Sequence, residues 1–245
     1  MLPAVAGSFK LFKKGISYAQ VSQGRDVYVY LPDGYNKNQN RYPVLYMHDG
    51  QNLFDPQRGY LGQTWNAQNT LNDLIAKKRI APLIVVAIDN TSARMEEYIP
   101  EKQADAYLDF VINLKSEVDR QFKTKADRTH TAIMGSSLGG LVSLYAGIQH
   151  PEIFGRIGAL SPSIWWNNRS ILDAYHAAPT LPFKIYLDSG TEGGEKPQDV
   201  IDLHRELEGR GFQRAALYSF IQNGANHSEY YWAMRLPLAL QFLFP

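Results

Sequence analysis

Apolar and polar positions alternate early in the chain and form longer apolar runs later. In residues 26–31, DVYVYL, valine and leucine fall on one side and the tyrosines on the other. That period of two predicts an antiparallel strand. Residues 41–48, RYPVLYMH, follow as a more continuous apolar run, after a polar surface turn at 33–41. Short apolar stretches then recur at 83–87, 131–134, 157–160, 184–187 and 217–220. Between them the period lengthens. Tyr107, Leu108, Val111, Leu114, Val118 and Phe122 recur at spacings of three or four and make one apolar helix face. Residues 138–148, 199–210 and 229–244 also read as helices, the last with a kink or break expected at Pro237. Strand–helix alternation dictates an α/β architecture: a mostly parallel central sheet, antiparallel at its N-terminal strands, with helices on both faces. Ligands of such sheets bind beyond the carboxyl ends of the strands, so chemistry belongs in the loops that follow them.

Composition narrows the picture. The 245 residues contain no internal repeat and no linker, so a single domain, 1–245, is expected. Hydrophobic residues make up 44% and charged residues 20%, which excludes disorder as the main state. Lys and Arg total 25 against 24 Asp and Glu, so no nucleic-acid or anionic-membrane footprint is present. The longest apolar stretch, 81–88, falls far short of the roughly 18 residues that span a bilayer. The beginning, MLPAVAGSFKLFKK, has no basic segment ahead of its apolar part and makes a poor signal peptide, so a cytoplasmic location is expected. Without cysteine, only serine, histidine and carboxylates remain for nucleophilic, acid–base or metal chemistry.

After the apolar run 131–134 comes Gly135-Ser136-Ser137-Leu138-Gly139-Gly140. This is G-x-S-x-G between a strand and a helix. So tight a turn strains its central residue, and small flanking residues avoid collisions with strand and helix. Ser137 is therefore the candidate nucleophile, and the Leu138 N–H points to where an oxyanion develops. A serine needs a base, most often histidine. Of the histidines after Ser137, His150 ends a helix, His176 and His204 lie in helical stretches, and His227 alone follows a late strand in a loop, NGANHSE. His227 is the candidate base. The acid should follow the preceding strand, in DSGTEGGE; Glu192 is the first choice, with Asp188 and Glu195 as alternatives. The second oxyanion donor should come from the loop after Met47, where Gln51 offers its backbone N–H. The irregular spacing of His48, Asp49 and Asp55 argues against a metal site.

These segments together resemble the Putative esterase family of α/β-hydrolases, which includes siderophore esterases, feruloyl and acetylxylan esterases, formylglutathione hydrolases and mycolyltransferases. The similarity rests on Val29-Tyr30-Leu31-Pro32 with Gly34-Tyr35, on HDGQNLFD at 48–55, on the turn around Ser137, and on His227-Ser228-Glu229 followed by Trp232 and Arg235. Arg94 with Glu97-Tyr98, and LSPS at 160–163 with Trp165-Trp166, are further matches. The resemblance implies an α/β-hydrolase fold, a Ser–acid–His triad, no cofactor, and small-molecule ester substrates. It carries the nucleophile to Ser137, the base to His227 and the oxyanion donors to Gln51 and Leu138. In the family the acid stands three residues after the glycine of the Asp-x-Gly-Thr segment, and here that place is Gly193.

Trp165 and Trp166, together with Glu97 and Tyr98, lie after strands on the same edge and are candidate substrate-binding residues, with core packing and loop anchoring as their alternatives. The expectation is a serine carboxylic-ester hydrolase working through an acyl-enzyme on small or carbohydrate-linked acyl esters. Alternatives are a siderophore trilactone esterase, an acyltransferase with the same triad, and a non-catalytic binding protein.

Overall fold

The computed structural model describes residues 6–18, 21 and 23–245. Part of the reading of the chain's beginning, Met1–Val5, lies outside the described residues. The strands are β1 (Ser8–Ile16), β2 (Arg25–Leu31), β3 (Val44–Met47), β4 (Ile84–Ile88), β5 (Thr131–Ser136), β6 (Arg156–Leu160), β7 (Lys184–Gly190) and β8 (Leu217–Gln222). They form one eight-stranded sheet in the order β1-β2-β4-β3-β5-β6-β7-β8. Pairs β1–β2 and β2–β4 are antiparallel, and every later pair is parallel. The mixed sheet with antiparallel N-terminal strands is the one the apolar pattern predicts.

The helices are α1 (Ala67–Ala76), α2 (Arg94–Glu97), α3 (Ala104–Gln121), α4 (Leu138–Gln149), α5 (Ser170–Ala177), α6 (Pro197–Gly209) and α7 (Glu229–Leu243). Because side chains alternate along a strand, each central strand feeds two cores. Val44, Tyr46, Val86, Ile133, Ile157 and Leu187 meet α3, α4, α5 and α6 on one face. Leu45, Met47, Val85, Met134, Leu160 and Tyr186 meet α1 and α7 on the other.

Strand β1 and helix α1 depart from the sequence reading, and α7 departs in part. Strand β1 was not anticipated: it is an edge strand with mostly exposed positions, and Phe9 is its one buried side chain. Of the kink or break expected at Pro237, the break does not occur: helix α7 continues through that residue. A proline inside a helix costs about 3 kcal/mol. Trp232, Leu236, Leu240 and Leu243 bury on this helix, at roughly 1.5–3 kcal/mol for each large apolar side chain, which outweighs that cost. Among the described residues no helix is long and apolar enough to cross a membrane.

Candidate active site

Ser137 stands between β5 and α4 at φ 57° and ψ −123°, a conformation strained for a residue with a side chain. Three contacts hold it there. Its N–H donates to Leu160 O at 3.0 Å, and its carbonyl accepts from Leu141 N and Ser163 N, each at 3.0 Å. Glycine is required beside it: a Cβ on Gly135 would lie 2.8 Å from the Gly139 carbonyl carbon. The Ser137 hydroxyl rests 3.3 Å from the buried hydroxyl of Ser163. Leu138 opens α4, and a helix's first N–H groups have no carbonyl one turn back to take them. The N–H of Leu138 is therefore free by position to serve a ligand.

The loop after β3 faces this turn. His48 N donates to Met134 O at 3.0 Å, and Asp49 takes a left-handed φ of 55°. A Cβ at Gly50 would meet the Ala87 carbonyl carbon at 2.8 Å, so this loop also packs directly on backbone. Gln51 follows in a short 3₁₀ turn, Gly50–Asn52, and its side chain accepts from Asn90 N at 3.1 Å. Asp49 receives Arg94 through both oxygens, Nε at 2.7 Å and a terminal nitrogen at 2.8 Å, and Asn90 at 2.6 Å. Burial alone would raise the Asp49 carboxyl, but the Arg94 contacts outweigh it and hold it below its ordinary value. His48 turns away from the cleft, with Nδ1 2.7 Å from Tyr107 Oη. Burial drives its pKa down to about 3, so the ring stays neutral. His48 and Asp49 thus have separate partners, and among the described residues no group of three or more His, Asp or Glu could hold a metal ion.

His227 follows β8 and packs edge-on against Trp232, ring centroids 4.9 Å apart. The structure brings Glu195 to it, not Glu192. Glu195 Oε2 lies 3.5 Å from His227 Nδ1. Glu192 is exposed, and its backbone N–H is tied to Ala225 O at 3.0 Å. The physical reason is the loop's path. Gly193 and Gly194 both take left-handed φ, 58° and 91°, and reverse the chain so that Glu195 re-enters the protein.

Behind Glu195 is a buried polar cluster that residue counting had not joined together. Ser161 donates to Glu195 Oε1 at 2.6 Å while accepting from Trp232 Nε1 at 3.0 Å and from Arg235 at 2.7 Å. Ser189 donates to Glu195 Oε2 at 3.1 Å. Arg235 also lies 3.5 Å from Glu195 and 3.0 Å from Asp188. Burial would raise the Glu195 carboxyl, yet His227, Ser161 and Arg235 together hold it below its ordinary value. Asp188, deeper and completely buried, is pushed up to about 7 by desolvation against the pull of Arg235. Asp188 anchors the Ser161 backbone N–H at 3.0 Å and does not touch His227.

Ser137 and His227 line both halves of one surface cleft. The first half, about 440 Å³, is bounded by Gln51, Asn52, Tyr60, Asn90, Arg94 and Glu229. The second, about 510 Å³, is bounded by Ser163, Trp165, Gly193, Gly194 and Lys196. Trp165 thus reaches the cleft and is 49% exposed. Trp166 is half-buried and packs on the core. Glu97 and Tyr98 do not reach it. Glu97 is buried in an ion pair with Arg25 at 2.5 Å, and Tyr98 is fully buried against the His48 ring. Glu97 at the end of α2 and Tyr98 just after it both turn inward, so they anchor the loop and the candidate substrate-binding role falls away for them.

A family model described as Putative esterase matches residues 19–243. An uncharacterized protein of Bacillus subtilis is 26% identical, over 88% of this chain and 91% of its own length. The endo-1,4-beta-xylanase/feruloyl esterase of Xylanibacter ruminicola is 27% identical over 99% of this chain, which spans only 34% of that larger protein. Among solved structures, the enterobactin esterase of Shigella flexneri, determined in the presence of enterobactin, matches with a TM-score of 0.77 at 22% identity, over 98% of this chain and 59% of that one. The fold is that of the α/β-hydrolases.

Proposed function

The chain belongs to the Putative esterase family, whose common chemistry is ester hydrolysis, and from that premise we propose a serine carboxylic-ester hydrolase that works through an acyl-enzyme on small or carbohydrate-linked acyl esters. Ser137 is the nucleophile, His227 the general base and Glu195 the acid, with the N–H groups of Gln51 and Leu138 as oxyanion donors. The observation that carries this reading is the strained Ser137 sharing one cleft with a histidine backed by a buried carboxylate.

The steps follow from those positions. Ser137 Oγ turns from Ser163 toward His227, gives it the proton and bonds to the ester carbonyl carbon. The negative charge that moves to the carbonyl oxygen is met by the two N–H groups. The C–O bond to the alcohol then breaks, and His227 returns the proton to the departing oxygen. Water, deprotonated by His227, attacks the acyl carbon; the bond to Ser137 Oγ breaks, His227 returns the proton to that oxygen, and the acid leaves. Glu195 fixes the imidazole tautomer and stabilises the imidazolium throughout. The test is hydrolysis of a chromogenic short-chain ester by the Ser137→Ala variant. Turnover should fall to background, and activity equal to the unaltered protein would sink the assignment.

The likeness to the enterobactin esterase favours a second reading, a siderophore trilactone esterase. Preference for catecholate trilactones over simple aryl or sugar acetates in a side-by-side panel would select it.

A further inference from the structure

The cleft half that contains Gln51 and Asn90 also contains Glu229, a carboxyl that the catalytic steps above do not use. Glu229 is the first residue of α7, two positions after His227, so its distance from the reacting groups is fixed by the same short junction. Its side chain meets only neutral donors, Asn52 Nδ2 at 3.4 Å and its own backbone N–H. Among the described residues no cation lies at ion-pair distance from it. Arg94, the basic group of this half, is already held by both oxygens of Asp49. Asp49, Arg94 and Glu229 therefore leave one excess negative charge here, whereas the other half carries Lys196. Burial and the nearby Asp49 charge raise the Glu229 carboxyl, with its own backbone N–H, His227 and Arg94 only partly opposing them. An acidic residue in a helix's first turn is stabilising in its own right. That role accounts for the residue type but not for a side chain that lines the cleft.

We propose that Glu229 is a specificity-determining residue: it bars anionic groups from this half of the cleft and admits hydroxyl-rich or cationic ones. The inference rests on Ser137 and His227 being the reacting pair. An unpaired charge in a binding cleft discriminates by repulsion, rejecting partners of the same sign more strongly than it attracts the others. The neutral amide groups of Asn52, Asn90 and Gln51 beside it are suited to hydroxyls.

Two sets of esters test this at about pH 8, where a carboxyl of this kind is ionised. On the alcohol side they are the acetates of choline, of 3,3-dimethylbutanol and of glycolic acid. On the acyl side they are p-nitrophenyl hexanoate and its carboxylate analogue, mono-p-nitrophenyl adipate. In at least one set the neutral ester should exceed the anionic one in kcat/KM by about tenfold. Glu229→Gln should narrow that ratio by about fivefold or more, and Glu229→Asp should keep it. Because the ratio is taken within each variant, a general loss of activity cancels. Ratios that are the same in the unaltered protein and Glu229→Gln, or no discrimination in either set, would overturn the proposal. Should Glu229→Gln fail to fold, the unaltered protein decides by inhibition: choline should bind tighter than 3,3-dimethylbutanol and glycolate weakest, and an equal or reversed order overturns it. Neutral-ester turnover that persists in Ser137→Ala defeats the serine reading, whereas an unchanged charge ratio defeats only this one.

Discussion

The Glu195 carboxylate faces the imidazole of His227, Oε2 to Nδ1 at 3.5 Å, across a loop that also carries Glu192 out into solvent. The distance is at the outer edge of hydrogen bonding, and such contacts commonly tighten when substrate binds. The partners of Glu195 are what distinguish it. Ser161 and Ser189 donate to it, and Arg235 stands behind it, so the carboxylate is held charged and in one orientation.

Glu195→Gln should therefore lower kcat on a short-chain ester by roughly 10²–10⁴-fold, because the amide can neither hold the right tautomer nor stabilise the imidazolium. Glu192→Gln, at an exposed position, should remain within about threefold of the unaltered protein. Steady-state kinetics on the two variants decide between the carboxyls, and a larger loss in Glu192→Gln would reverse the assignment.

Arg235 should matter more to folding than its place outside the cleft suggests. It is the cation between Asp188 and Glu195, and all three side chains are at most 1% exposed. Arg235→Met leaves two buried carboxylates without it, and breaking a buried pair from one side costs about 3–5 kcal/mol. Urea denaturation should register that loss. Adding Glu195→Gln should recover part of it, since Glu195, held below its ordinary value, is the carboxyl that stays charged when Arg235 is gone. Additive losses in the double variant would refute the coupling.

Why some of this was legible and some was not follows from particular residues. The turn around Ser137 announces itself because the first of its glycines answers a local contact: the clash at Gly135 involves Gly139, four residues away. The strand assignments held where both faces are buried, as in VLYM and IVVAI. Strand β1 and helix α1 carried too few apolar residues to register; α1 buries only Ala67, Leu71 and Leu74 within NAQNTLNDLIA. The acid was obscured because consecutive left-handed glycines can send a loop in several directions, and residue counting cannot choose among them. Glu97 and Tyr98 were misplaced for a related reason. Both follow β4 at the proper edge, but Glu97 is drawn to Arg25, 72 residues earlier, and Tyr98 to the ring of His48, also distant in sequence.

His48 gives the protein a specific acid sensitivity. Burial lowers its pKa from 6.5 to about 3, so the folded protein keeps it neutral while the unfolded chain takes up a proton. The unfolded state therefore binds more protons between those two values, and stability is lost as pH falls through the window, at up to about 1.4 kcal/mol per pH unit. His48→Gln has no such group. Whatever it costs at about pH 7, its deficit relative to the unaltered protein should shrink toward about pH 4. Chemical denaturation of both proteins at several pH values measures this directly, and a deficit constant across the window would contradict it.

Ser137 itself should be a site where stability and activity oppose one another. Its φ of 57° and ψ of −123° are enforced by the Leu160, Leu141 and Ser163 backbone bonds, and a β-carbon makes that conformation costly. Strain of this kind is of the order of 1–3 kcal/mol. Glycine tolerates the same angles without a side chain, although it also gains freedom in the unfolded chain, which offsets roughly 0.5–1 kcal/mol of the relief. Ser137→Gly should thus be as stable as the unaltered protein or up to about 2 kcal/mol more stable, while hydrolysing no ester. Ser137→Ala removes the hydroxyl but keeps the β-carbon, so it should lose activity without that gain. Comparing the two variants by thermal or urea unfolding separates backbone strain from the hydroxyl's own contact with Ser163, and a glycine variant less stable than the alanine one would show that the turn is not strained.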